Sequence, residues 1–178
     1  MKQSSHIVPC MNMNLCSDGK QLRTQFLGDV ENLAGRPTGP TEADVIAIAA
    51  AVDRVFGHLD PQSVVACAHR NAPNVWFNWP SARHLVRSGP NGADLCLLEV
   101  IERERVAERF DRVVIGSADG DFAEAAARLA SQGVHVIAAI GRGRLASSLK
   151  LAVREVVRLP LDPVAVSVSN IMEVRLSA

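Results

Sequence analysis

The feature that most constrains the fold of this chain is a short apolar run that stops abruptly at acidic residues. Residues 112–115 (Arg-Val-Val-Ile) have the β-branched, apolar character typical of a strand buried on both faces of a parallel sheet. The run ends at Gly116 and Ser117, and Asp119 and Asp121 follow before a helical pattern begins. Two carboxylates therefore follow a buried strand directly, where open α/β sheets place their ligands.

A purely structural interpretation of these two aspartates is also open. Asp121 is placed to cap a helix that begins at Phe122, and Asp119 with Gly120 is common turn chemistry. Two nearby carboxylates repel each other, however, which favours either a raised pKa or a bound cation. The functional interpretation gains weight from two further aspartates in the chain.

Strand and helix patterns alternate along the rest of the chain. One strand ends at Asp29, a helix with acids in its first turn opens at Thr41, and a longer helix carries Asp94 in its first turn. Further strands are predicted at residues 63–68, 74–79, 133–140 and 155–159, with shorter helices after residue 122 and at residues 147–152. This succession predicts an α/β fold, a three-layer α-β-α sandwich around a central, mainly parallel sheet of five or six strands.

The predicted positions of the acidic residues share one edge of that sheet. Asp29 and Asp119 lie at strand ends, Asp121 lies two residues further on, and Asp94 opens a helix. The carboxyl ends of parallel strands meet at the same edge, so we expect these four carboxylates to converge in one crevice.

The length of 178 residues fits one compact domain. Residues 1–21 are polar and lack periodicity, which indicates a flexible leader. Residues 22–160 are expected to form the domain, and residues 161–178 a C-terminal extension. For that extension, an added strand and contacts between the subunits of a homodimer both stay open.

Charge and cysteine content narrow the class of protein. The 19 basic and 19 acidic residues balance, so a nucleic-acid site would rest on a local basic patch rather than on a global field. The four cysteines include no C-x-x-C pair, which favours a reduced, intracellular protein. The longest aliphatic run, residues 45–52, is too short to span a bilayer. We therefore predict a cytoplasmic protein with no membrane partner.

Two groups of basic residues are candidates for contact with nucleic acid. The loop at residues 141–144 presents Arg142 and Arg144, which together with Arg87 are predicted to steer phosphate toward the acidic crevice. A second group combines aromatic and basic side chains that could hold single-stranded nucleic acid, although packing of both tryptophans is the simpler interpretation. That group comprises His69, Trp76, Trp79, Arg83, His84 and Arg87.

The order and spacing of the acidic residues resemble the NYN domain family of the PIN-like nuclease superfamily, over roughly residues 23–159. The likeness lies in residues 26–33 (Phe-Leu-Gly-Asp-Val-Glu-Asn-Leu), 92–94 (Gly-Ala-Asp) and 114–122 (Val-Ile-Gly-Ser-Ala-Asp-Gly-Asp-Phe). The sequence departs from the usual family pattern at Ala118, where glycine is common, and at residues 28–30, where the family often has Ile-Asp-Gly. Neither departure removes a carboxylate.

This resemblance implies a PIN-like, Rossmann-like fold and a Mg²⁺- or Mn²⁺-dependent endoribonuclease with RNA as its partner. The implied catalytic residues and metal ligands are Asp29, Asp94, Asp119 and Asp121, the last as a further ligand or as an acceptor behind the others. Asn32 and Ser117 would orient ligands or phosphate. Carboxylates suit this chemistry, because the hard cations that they hold activate water and neutralise charge on phosphoryl oxygens.

Two other functions stay open. A Toprim-like phosphoryl-transfer domain is similar in pairing an early glutamate, here Glu31, with a later Asp-x-Asp, here Asp119 and Asp121. That interpretation gives Asp94 no task. A non-catalytic RNA-binding or regulatory module on the same fold is the second alternative, and such a module would not need all four acids.

Overall fold

Six strands form one continuous sheet in the computed structural model, which describes residues 22–36 and 38–161. The strands are β1 (Thr24–Asp29), β2 (Gln62–Cys67), β3 (Arg83–Val86), β4 (Arg112–Gly116), β5 (His135–Ile140) and β6 (Glu155–Arg158). Their order across the sheet is β3-β2-β1-β4-β5-β6, and every neighbouring pair is parallel. The leader and residues 162–178 lie outside the described residues.

Helices cover both faces of this sheet. They are α1 (Val30–Ala34), α2 (Glu42–Phe56), α3 (Ala72–Asn78), α4 (Gly92–Arg103), α5 (Val106–Arg109), α6 (Ala123–Ser131) and α7 (Ser147–Ala152), with 3-10 turns at Gly57–Leu59, His69–Asn71 and Gly120–Phe122. Helices α1 to α3 pack on one face and α4 to α7 on the other. The predicted three-layer α-β-α sandwich is thus confirmed. Within the described ranges, no helix combines the length and apolarity needed to cross a membrane.

The buried strands explain why their sequences are apolar at almost every position. Phe26 packs into the core under α1 to α3, whereas its neighbour Leu27 packs into the core under α4 to α7. Val113 and Val114 divide in the same way, because successive side chains in a strand point to opposite faces. A strand that is covered on both faces needs apolar residues throughout rather than in alternation.

The prediction of a strand at residues 74–79 is wrong, because this segment belongs to helix α3. Its fold follows a helical period: Ala72 and Val75, three residues apart, face the core, whereas Trp76 and Phe77 project from it. The strand that pairs with the outer side of β2 is instead β3, a partly exposed edge strand. A search for apolar runs misses β3 because two of its four residues, Arg83 and His84, are basic.

The loop after β5 is held against α1 by close backbone contact. The backbone N–H of Arg142 donates to the Leu33 carbonyl at 3.2 Å, and a Cβ added to Gly141 would overlap that carbonyl group. Only glycine fits this approach without moving backbone. The loop is thereby fixed beside the helix that starts at Asp29.

Replacing Gly141 with alanine is expected to destabilise the protein by about 3 kcal/mol, since the added methyl group must displace packed backbone. Gly143→Ala is the matched control in the same loop, because its Cβ would meet Ala118 at an ordinary 3.6 Å. Urea unfolding of both variants measures the difference. Equal midpoints would contradict the close contact.

Candidate active site

The four aspartates lie along the edge of the sheet where its strand order reverses. From β1, the strands run outward as β2 and β3 on one side and as β4 to β6 on the other. Asp29 is the last residue of β1, and Asp119 lies three residues beyond the end of β4. Open α/β sheets bind ligands in the crevice at this switch point.

Asp29 is buried and fixed by the backbone of the helix that follows it. Its Oδ1 accepts hydrogen bonds from the N–H groups of Glu31 at 2.8 Å and Asn32 at 3.0 Å, so it caps α1. The residue is only 6% exposed. Capping uses one carboxylate oxygen and leaves the other directed to further partners.

Asp94 reaches the same place from the first turn of α4. It is 6% exposed, and its carboxyl lies close enough to that of Asp29 for each to affect the pKa of the other. Its Oδ1 is buried and has no hydrogen-bond partner within the described part of the chain. A buried carboxyl oxygen without a donor is costly, so this atom requires an explanation beyond folding.

Asp119 and Asp121 lie on the loop after β4, and the predicted helix cap at Asp121 is wrong, since no side chain within the described residues caps α6. Asp119, rather than Asp121, caps the helical turn, with its Oδ1 accepting from the N–H of Asp121 at 3.0 Å. The exposed carboxylate of Asp121 accepts instead from Asn91 Nδ2 at 2.8 Å. Asn91 has a left-handed backbone (φ 53°) and immediately precedes α4. This amide therefore ties the loop of Asp121 to the helix of Asp94.

Burial and mutual repulsion make the pair Asp29 and Asp94 bind a proton tightly. Burial, then the charge of Asp29 and the contact between the two carboxyls, together with the charges of Asp119 and Asp121, raise the pKa of Asp94 to about 8. Burial also raises the pKa of Asp29, opposed by the hydrogen bonds that it receives. At neutral pH the two carboxyls together therefore keep one proton when no metal is bound.

Asn32 and Ser117, which the family resemblance assigns to ligand or phosphate orientation, hold the loops of the site together. Asn32 Oδ1 accepts from the N–H of Ala118 at 2.9 Å, which links the end of β1 to the end of β4. Ser117 Oγ accepts from the N–H of Asp119 at 3.2 Å and is fully buried. We assign both side chains to positioning these loops, since their oxygens are engaged by backbone.

Glu31 holds the end of the neighbouring strand. Its Oε1 accepts hydrogen bonds from the N–H of Ala68 at 3.1 Å and from the side-chain amide of Asn71. The Toprim-like alternative needs this glutamate as a free acid in the reaction centre. Its engagement by the segment after β2 disfavours that alternative.

Arg142, one of the two arginines in the loop after β5, is held by contacts within the fold. Arg142 Nη1 contacts the buried carboxylate of Asp44 at 2.6 Å, and its guanidinium also donates to the carbonyls of Ala34 at 3.2 Å and Leu161 at 3.4 Å. Burial alone would raise the pKa of Asp44, but hydrogen bonds from Thr41, Arg142 and Arg36 hold it well below its usual range. Arg142 is therefore committed to folding rather than free for phosphate.

Arg142→Ala is expected to lower stability by roughly 2 kcal/mol, because it removes hydrogen bonds from a buried carboxylate and two carbonyls. Arg144→Ala, in the same exposed loop, should leave stability unchanged but weaken RNA binding and flatten its salt dependence. Thermal unfolding and salt titrations of RNA binding separate the two effects. A stable Arg142→Ala protein would contradict the role of Arg142 in folding.

Arg87 and Arg144 differ in how freely their guanidinium groups can contact a phosphate. Arg87 Nη1 pairs with Glu99 at 2.9 Å, with both side chains about half exposed. Arg144 is exposed, and none of the carboxylates in residues 22–36 and 38–161 pairs with it. Of the three predicted arginines, Arg144 is the one best placed to move toward substrate.

The carboxylate oxygens of this site are of the type that divalent cations bind, although they do not enclose a cation. Among the residues that the structure describes, no three His, Cys, Asp or Glu side chains stand close enough together to enclose a cation as they are. Oxygen donors are nonetheless what Mg²⁺ and Mn²⁺ prefer. The Oδ1 of Asp94, which has no hydrogen-bond partner within the described residues, is an oxygen of this kind. The raised pKa of Asp94 shows that positive charge beside it is favourable.

Cys67, at the end of β2, is the only thiol beside the crevice in the described ranges. Burial, together with the charges of Glu31 and Asp29, raises the pKa of the Cys67 thiol to about 12. Nucleophilic catalysis needs a thiolate. Cys67 therefore does not supply a nucleophile near neutral pH.

Comparisons with known proteins identify the fold. No family model matches this sequence, and no curated protein matches it either. A protein of unknown function from Vibrio parahaemolyticus, VPA0982, has a similar structure, with a TM-score of 0.56 at 13% identity over 77% of this chain and 92% of that chain. At this identity the likeness shows the fold alone.

Two YcaC structures are more distant. YcaC from Escherichia coli, described as an octameric hydrolase of unknown specificity, gives a TM-score of 0.48 at 13% identity over 76% of this chain and 75% of that chain. YcaC from Pseudomonas aeruginosa, with hexane-2,5-diol and covalent acrylamide, gives 0.47 at 14% over 76% of each chain. Fold and site together define a doubly wound α/β domain with an acidic crevice at its switch point.

Proposed function

We propose that this protein is a Mg²⁺- or Mn²⁺-dependent endoribonuclease that hydrolyses phosphodiester bonds in the acidic crevice. The observation that carries the proposal is the meeting of Asp29, Asp94 and the Asp119–Asp121 loop, from three separate parts of the chain, at the switch point of a parallel sheet. This is the arrangement that the NYN resemblance implies. RNA as the substrate rests on that resemblance.

Structural duties do not explain all four acids. Capping accounts for one oxygen of Asp29 and one of Asp119. Asp94 is buried against another carboxyl, and within the described ranges no Lys, Arg or His forms an ion pair with any of the four. Burying a carboxyl beside a second one destabilises the fold, so an arrangement of this kind is typical of functional sites.

In this proposal the aspartates bind the cation and the neighbouring polar groups position them. Asp29, Asp94 and Asp119 would hold the cation, with Asp121 as a further ligand or acceptor. A bound divalent cation supplies charge neutralisation at the phosphoryl oxygens and a water of lowered pKa. The backbone N–H groups at α1 orient Asp29, and Asn32 and Asn91 both hold the loop that carries Asp119 and Asp121. These positioning contacts keep the carboxylates close while they are still metal-free.

Asn91→Gly is expected to reduce cleavage about 10- to 100-fold with little change in stability, the usual effect of losing a side chain that orients a ligand. Glycine accepts the left-handed backbone of this position, so the substitution removes only the amide that contacts Asp121. Cleavage rates at several Mn²⁺ concentrations measure the effect. Wild-type rates throughout would show that Asp121 needs no such orientation.

The proposal is tested by incubating the purified protein with structured RNA, unstructured RNA and single-stranded DNA, each with Mg²⁺, Mn²⁺ or EDTA. We expect RNA cleavage with a divalent cation and none with EDTA. Cleavage that persists in EDTA would contradict metal dependence. RNA that is bound but remains intact with either cation would favour the non-catalytic RNA-binding module instead.

A further inference from the structure

Two neighbouring aromatic side chains are exposed in a chain that buries the rest of its aromatic residues. The sequence has two tryptophans, five phenylalanines and no tyrosine. The five buried aromatic residues are Phe26, Phe56, Trp79, Phe110 and Phe122. Trp76 and Phe77, adjacent on α3, are 51% and 84% exposed. Side chains of this size are seldom left in solvent as a pair without a binding partner.

This exposed pair lies along the β3 edge of the sheet. The Trp76 ring centroid is 6.2 Å from that of His84 on β3, and the His84 ring is fixed by contact with the Trp79 carbonyl at 2.8 Å. His84 pairs in register with Val65, which pairs with Gly28, the residue before Asp29. Two strand spacings, about 10 Å, therefore separate His84 from the strand that carries the crevice.

Positive charge near this edge comes mainly from Arg70, because the other two arginines of the segment are paired with glutamates. No acidic residue occurs between Pro61 and Ala93, whereas this stretch contains three arginines, although the whole chain has a net charge of zero. Arg83 and Arg87 pair with glutamates of the α4 region. Arg70 is exposed in the 3-10 turn that precedes α3, and no carboxylate in residues 22–36 and 38–161 forms an ion pair with it.

We propose that Trp76 and Phe77 form a stacking platform for single-stranded RNA, on which unpaired bases lie while the strand runs across the β3 edge toward the aspartates. Base stacking on exposed aromatic rings beside positive charge is how proteins hold single strands without reading their sequence. Paired bases in a duplex have no free faces, so the platform selects unpaired segments. This inference rests on the proposed function, since it names the substrate class delivered to that site.

The test measures the affinity of the full chain for a fluorescein-labelled oligouridylate by anisotropy in EDTA, where the RNA stays intact. Trp76→Ala and Phe77→Ala should each weaken binding roughly tenfold. Trp76→Phe keeps an aromatic ring and should bind nearly as well as wild type, whereas Trp76→Leu keeps the apolar surface but should bind like Trp76→Ala. The matched control is Leu151→Ala, which removes an 88% exposed apolar side chain on α7, a helix on the other face of the sheet from α3, and should change nothing.

Cleavage assays in Mn²⁺ separate this proposal from the proposed function. Wild-type protein that binds oligouridylate through Trp76 but never cuts RNA contradicts the nuclease and upholds the platform. Wild-type protein that cuts RNA, with Trp76→Ala and Phe77→Ala binding as tightly as wild type, overturns the platform alone. The platform is also overturned if the wild type is a homodimer that Phe77→Ala converts to a monomer with unchanged RNA affinity, because a second copy of the chain would then cover this surface.

Discussion

Replacing Asp119 with asparagine is expected to abolish RNA cleavage, lowering kcat/KM by at least about a thousandfold, because the variant loses one charged oxygen ligand of the cation. The fold should be preserved. Asparagine has nearly the same shape, and its Oδ1 can still accept the hydrogen bond from the N–H of Asp121. Removing one of the crowded negative charges should leave the metal-free protein at least as stable as wild type.

The matched control for this loss is Glu124→Gln. It removes one negative charge only a few residues away, from an exposed side chain in the first turn of α6. Cleavage by this variant should equal that of wild type. Similar losses in both variants would mean that general charge, rather than a ligand position, governs activity, and full cleavage by Asp119→Asn would contradict the proposed site.

The second large effect concerns stability and pH in the metal-free protein. The ordinary pKa of an aspartate is 3.8, but Asp94 holds its proton to about pH 8 in the folded state. Between these values the folded protein binds more protons than the unfolded chain, so the stability contributed by this proton falls as pH rises. The loss across this window is of the order of a few kcal/mol, at about 1.4 kcal/mol per pKa unit.

Asp94→Asn should remove this pH dependence, since the variant carries no proton to lose and no charge to repel Asp29. Its Tm should therefore exceed that of wild type most clearly at pH 8. Asp53→Asn, an exposed acid on α2, should follow the wild-type curve. Thermal unfolding of the three proteins from pH 5 to pH 9 measures the difference, and parallel curves for wild type and Asp94→Asn would contradict the shared proton.

A bound cation should compete with the proton of the Asp29–Asp94 pair. A metal ion must displace the proton that Asp29 and Asp94 share, so the rise in Tm on adding Mn²⁺ should be larger at pH 8 than at pH 6. Asp94→Asn should lose most of that rise. An equal Mn²⁺ effect at both pH values would place the cation elsewhere.

Sequence patterns predict segments whose own residues determine their structure. The strand at residues 112–116 and the helix at residues 92–103 follow from apolar runs and helical periodicity, and both lie where expected. The order of strands also places Asp29, Asp94 and the Asp119–Asp121 loop at one edge. The charges of the other three act on Asp94, but among the described residues no three of these carboxylates stand close enough together to hold a cation, so the single crevice stays a prediction.

The errors and omissions involve contacts between distant segments. Residues 74–79 mix apolar and aromatic side chains in a run too short to distinguish a strand from a helix, and only tertiary packing decides it. Asn91 reaches Asp121 across 30 residues and Glu31 reaches Asn71 across 40. No local pattern signals such pairs. The structural role of Arg142 is equally hard to predict from sequence, because its partner Asp44 lies 98 residues earlier.

The most direct test of the central claim, that the four aspartates form one metal site, is titration of Mn²⁺ followed by electron paramagnetic resonance, in which free Mn²⁺ is visible and bound Mn²⁺ is not. We expect wild type to remove the signal of free Mn²⁺, and Asp94→Asn and Asp119→Asn each to bind at least about tenfold more weakly. Glu124→Gln should match wild type. A wild-type protein that leaves the signal unchanged at millimolar Mn²⁺, or that binds Mn²⁺ no better than Asp119→Asn, would contradict the claim.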